Sequence, residues 1–182
     1  MRRMLKCMAG LCLALALPLH AAGPAPLDAC KLLPESVIAE VQGSKPTATQ
    51  PTSHDDGNLS SSQCFFTLSP FSKSVSLQVL SHAADDRIEV RQFWNERFHK
   101  PAAEAAEKEP EEESGERESS PPQPVRGLGE EAYWVSNGRG GALYVLHQGY
   151  VLRVSVGGND LATEKQNATE LARAVVEDWK ER

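Results

Sequence analysis

The chain has 182 residues, 25 acidic against 19 basic side chains, a formal charge of −6 and four cysteines. That length suits one domain with a single hydrophobic core, and the acidic balance argues against a surface built for nucleic acid or an anionic membrane. The uncharged apolar run from Cys7 to Leu19 has 13 residues, short of the roughly 20 that span a bilayer.

In chain order, Arg2, Arg3 and Lys6 precede that apolar run, and Ala21 and Ala22 follow it. This is the layout of a secretory signal peptide at 1–21, with a flexible N-terminus at 22–29. An uncleaved anchor is the rival. A lipidated Cys30 is a second, because "LDAC" ends in a small residue and a cysteine, but Asp28, Pro24 and Pro26 fit it poorly. Loss of the leader removes three cations and takes the formal charge from −6 to −9. It also removes Cys7 and Cys12. Cys30 and Cys64 are then left together in an oxidising compartment, where two remaining thiols most simply pair.

A single α+β domain is expected over residues 30–182. Pro34 opens a short helix with Val37, Ile38 and Val41 on one stripe and Gly43 at its end. Residues 44–62 read as a polar loop. Alternation of Cys64, Phe66 and Leu68, then of Val75, Leu77 and Val79, gives a hairpin of two half-buried strands. Asp85 or Asp86 caps a second helix reaching about Phe98, with Trp94 and Phe98 on one face. The segment 101–124 has almost no large apolar residue and reads as a disordered acidic insertion without the spacing of a calcium loop.

Beyond it, "GLGEEAYWVSN" leads into "NGRGGALYVLHQGYVLRVSV". The glycine cluster at 138–141 has Leu143 where a dinucleotide-binding loop needs its third glycine, and strand composition follows, so the glycines turn the chain. Two-residue turns at Asn137-Gly138 and Gln148-Gly149 set a register. His147 then faces Tyr150, Val145 faces Leu152, Leu143 faces Val154 and Gly141 faces Val156, with the last three pairs on a core face. The opposite face carries Tyr144 across from Arg153, with Leu146 and Val151 beside them, and is the candidate interaction face. The terminal segment is an amphipathic helix capped at Asn159 or Asp160, with Ala168, Leu171, Ala172, Val175 and Trp179 on one stripe. The sequon at Asn167 falls inside that helix and is discounted. The order is helix, two strands, helix, three strands, helix: an antiparallel sheet of about five strands with the helices on one face.

No catalytic constellation, phosphate loop or nucleophile elbow occurs, and no cofactor motif. "HDD" at 54–56 and "HAADD" at 82–86 each place a histidine near two carboxylates, read as a polar loop and a helix cap rather than a metal site.

The chain resembles a group of small secreted bacterial proteins and lipoproteins of unknown function. The matching stretches are "DACKLLP", "SSQCFF", "PVRGLGEEAYW" and "ELARAVVEDW". The resemblance implies an envelope location and a compact α+β fold loosely like the PsbP-type sandwiches, and it carries no catalytic residue. The expectation is a soluble periplasmic or secreted binding module without catalysis, inhibitor or immunity-type proteins included, whose partner is an envelope protein or a small ligand. The alternative is a periplasmic hydrolase or metalloenzyme with dispersed active-site residues.

Overall fold

The computed structural model describes residues 27–55, 59–82, 88–100, 120–158 and 160–180. The expected leader at 1–21, the cap candidates Asp85, Asp86 and Asn159, and the acidic run 101–119 lie outside these residues.

A one-turn helix precedes the one expected at Pro34. The Asp28 carboxylate accepts a hydrogen bond from Cys30 N and caps this helix, α1 (Ala29–Leu32), whose Ala29 is fully buried. Pro34 caps α2 (Glu35–Gln42), and Gly43 ends it in the left-handed conformation, φ 78°. Cys30 is bonded to Cys64, 34 residues on, so α1 is tied to the sheet, and a diacylated Cys30 would have no thiol for this bond.

Among the described residues the sheet has seven strands, all antiparallel, where about five are expected. They are β1 (Ala48–Asp55), β2 (Leu59–Thr67), β3 (Val75–His82), β4 (Gln123–Pro124), β5 (Glu131–Ser136), β6 (Gly141–His147) and β7 (Tyr150–Val156), in the order β1-β2-β3-β7-β6-β5-β4. The two additional strands are its edges. β1 occupies the expected polar loop and is exposed along its whole length. An edge strand buries neither face and tolerates Pro51, so it shows no apolar alternation. β4 is two residues at the end of the expected acidic insertion, with Gln123 against Trp134 and Pro124 against Tyr133.

The sheet consists of two meanders meeting at β3 and β7, which pair from Val75↔Val156 to Leu80↔Val151. One face carries the main core. Cys64, Phe66, Leu77, Val79, Leu143, Val145, Leu152 and Val154 point to it, and α1, α2 and α4 (Leu161–Lys180) cover it. The helical stripe is as expected: Ala168, Leu171, Ala172 and Val175 are buried. Asp160 supplies the cap, accepting from Thr163 N at 2.8 Å.

The helices do not share one face. α3 (Ile88–Phe98) lies on the other side, where Val90 and Trp94 form a second core with Ala142, Tyr144, Leu146 and Val151. Each meander is thus followed by a helix, but the two helices take opposite faces. No helix among the described residues is long and apolar enough to cross a membrane.

Candidate functional site

Strand register lays one row of side chains across the α3 face of the sheet. It runs Thr52, Gln63, Gln78, Arg153, Tyr144, Tyr133, Pro124, each directly opposite the next. Paired residues of an antiparallel sheet project to the same side, so the row grades from polar at β1 to aromatic at β5. α3 sits over the aromatic end. Phe98 stacks on Tyr133, 4.8 Å between centroids and 9° between planes, and meets Tyr144 edge-on at 5.5 Å.

Glu131 fastens this helix. Its Oε2 accepts from Trp94 Nε1 at 3.2 Å and lies 2.7 Å from His99 Nε2, and Arg91 pairs with the adjacent Glu130 at 2.8 Å. Burial pushes the Glu131 carboxyl upward, but the hydrogen bonds from Trp94 and His99, with the charges of His99 and Arg91, outweigh it and hold the group below the usual range.

The interaction face expected at Tyr144, Leu146, Val151 and Arg153 is therefore not open. Leu146 and Val151 are 1 % and 0 % exposed and belong to the core under α3. The expected register is correct through these residues: Tyr144 faces Arg153 and Leu146 faces Val151. Strand pairing alone does not reveal that a helix from the other meander covers half of the face.

In the middle of the row, where Arg153 is half-buried and Arg97 exposed, two cations converge on one buried phenol. Tyr144 Oη accepts from Arg153 Nε at 3.1 Å and from Arg97 Nη2 at 3.0 Å. The Arg97 guanidinium also lies 4.6 Å from the Tyr144 ring centroid, and that of Arg153 5.8 Å. β7 supplies Arg153, β6 the tyrosine, and the last turn of α3 supplies Arg97. Beside them opens a cleft of about 470 Å³ whose lining includes Val135, Ala142, Tyr144, Arg153 and, from the β5–β6 turn, Arg139. None of the three arginines takes part in the ion pairs among the described residues.

The β5–β6 turn is not the expected two-residue Asn137-Gly138 type. Ser136 pairs with Gly141, so four residues make the turn, and only Gly138 has positive φ, 77°. Asn137 acts through its side chain: Oδ1 accepts from Arg139 N at 3.1 Å and Gly140 N at 3.2 Å. These are the amides that a phosphate-cradling loop would present, and they are already satisfied. Gly141 is needed for space, since a Cβ there would lie 2.1 Å from the Trp134 ring. The Gln148-Gly149 turn matches expectation, with φ of 50° and 81°.

Only parts of the two histidine-carboxylate stretches lie among the described residues. His54 pairs with Ser61 and His82 with Leu59, placing them at the same end of β1 and β3 with β2 between. Their companions Asp56, Asp85 and Asp86 lie outside the described residues, and no group of three potential ligands occurs among those described.

Sequence reasoning finds Tyr144 and Arg153 but misses Arg97 and Arg139. Arg97 precedes Phe98, which the Trp94 spacing does place on the buried face, and Arg139 stands inside the glycine turn. No protein-family model matches the chain, and neither do any curated protein or solved structure.

Proposed function

We propose that this protein is an exported, non-catalytic binding module of a bacterial cell envelope, and that it recognises its ligand or partner through the cleft beside Tyr144. The observation that carries this reading is the convergence of Arg97 and Arg153 on Tyr144 Oη, with Arg139 in the lining of the cleft beside it. Such a cluster has hydrogen-bond donors and positive charge to offer, which suits holding an anion. The Cys30–Cys64 bond supports export, because disulfides of this kind persist in oxidising compartments, and the leader-like start of the sequence agrees with it. Membership in the group of small secreted proteins and lipoproteins that the chain resembles belongs to the same proposal.

Affinity capture from an envelope extract tests it. Wild-type protein should retain a stoichiometric partner or small ligand that Arg153→Gln loses while its thermal transition stays near that of wild type. Equal capture by both proteins would overturn the assignment of the cleft. Stoichiometric metal in the purified protein would favour the metalloenzyme alternative instead.

A further inference from the structure

We propose that the cleft is a carboxylate site: it takes a small organic acid, gripping the carboxylate with Arg139, Arg153 and the Tyr144 hydroxyl, which Arg97 holds in place, while the body of the acid lies along Val135 and Ala142. The assignment deepens the reading of the cleft as the recognition site and rests on it.

A phenolic oxygen has two acceptor sites and one hydrogen. Tyr144 Oη already accepts from Arg153 and from Arg97, so its own hydrogen is directed away from both guanidiniums, and the space Tyr144 lines is the cleft. Each guanidinium has five N–H groups. Arg97 spends one hydrogen of Nη2 on orienting the phenol, and Arg153 commits only its Nε–H to it, which leaves Arg153 a planar pair of N–H groups that matches the two oxygens of a carboxylate. No carboxylate among the described residues forms an ion pair with any of the three arginines, so no described acidic group competes with a ligand for their charge.

An organic acid and inorganic phosphate require different surroundings. Phosphate sites draw on backbone amides at turns and helix N-termini. Here the Arg139 and Gly140 amides are held by Asn137 Oδ1. The cleft, at about 470 Å³, is within the size range of small-molecule sites and far larger than one inorganic ion requires. Val135, Ala142 and the tyrosine ring give it an apolar side, which rewards a ligand that has carbon to bury.

The test is titration of the full exported chain with benzoate, acetate and inorganic phosphate at constant ionic strength, followed by amide chemical shifts. Benzoate should bind saturably, shifting Gly140, Ala142, Tyr144 and Arg153, and should bind more tightly than acetate or phosphate. Tyr144→Phe keeps the ring and removes the hydrogen, and should weaken benzoate about tenfold. Arg139→Gln, on an exposed turn and remote from both cores, should weaken it as well, and guards against an effect of misfolding. Four results would overturn the proposal: no saturation at millimolar benzoate, shifts that map elsewhere, equal affinity of the variants, or phosphate binding as tightly as benzoate. Should any of these appear while Arg153→Gln still abolishes capture from the envelope extract, the carboxylate assignment fails and the recognition site stands.

Discussion

Glu164 stands in the first turn of α4 and is 7 % exposed. Its Oε2 is buried without a hydrogen-bond partner, beneath the glycines at 140 and 158. Burial first, and then the charge of Asp160, push its carboxyl above the usual range against an opposing hydrogen bond from Gly141 N. A carboxyl raised in the folded state stabilises it fully below the unfolded value and loses that contribution as pH rises through the folded value. Glu164→Gln should therefore be more stable than wild type at neutral pH, and the advantage should shrink as pH is lowered through the upper carboxyl range. Asp28, Glu131 and Asp160, held low, act in the opposite sense and are present in both proteins, so the difference between the two melting curves reports Glu164 together with its coupling to Asp160. Gly141 gives a second residue-scale prediction. The Trp134 ring occupies the place of a side chain there, and Gly141→Ala should cost about 1–3 kcal/mol in denaturant unfolding through overpacking.

Among the elements, α3 decides which part of the molecule is surface. Trp94 is fully buried and seats the helix over Leu146 and Val151. Trp94→Ala should cost about 3–5 kcal/mol, read from denaturant unfolding, with loss of the near-ultraviolet signal from the stacked rings. The elements legible in the sequence are those whose own residues settle their structure. The α4 stripe needs only 3.6-residue spacing, and the β6–β7 register needs only the turn at Gln148-Gly149. β1 is illegible because an edge strand of polar residues has no burial to betray it, and β4 because its two residues are strand only through pairing with Tyr133 and Trp134. The placement of α3 is written in the other meander, as the apolar series Ala142, Tyr144, Leu146 and Val151 that needs a cover. For the same reason half of the site was legible. Tyr144 and Arg153 meet through local pairing, whereas Arg97 reaches them only through packing between distant parts of the chain.

At the scale of the molecule, the disulfide ties α1 to a central part of the first meander. Cys64 is fully buried in the main core, and closing a loop of 34 residues should contribute about 3–4 kcal/mol by restricting the unfolded chain. Cys64→Ser should lower the unfolding free energy by about that amount, checked by urea titration against the wild type with and without reductant. Gln42 supplies a second long-range tie. Its amide donates to the carbonyls of Lys73 and Gly157 and accepts from Asn167 Nδ2, joining α2, both meanders and α4 at a buried point.

The junction of β3 with β7 can also be regarded as an internal interface. The disulfide lies wholly on the N-terminal side of it, and the chain crosses from one side to the other through residues 101–119. Six residue pairs join the halves, reinforced by α3, which the first half lays over strands of the second. If the backbone were severed between residues 101 and 119, the molecule would become a heterodimer with an association constant of its own. Arg97 would belong to one subunit, and Arg139, Tyr144 and Arg153 to the other. Any ligand that engages arginines from both would then act as a cement between the subunits, and mass action requires that it strengthen their association in proportion to its occupancy of the joined form.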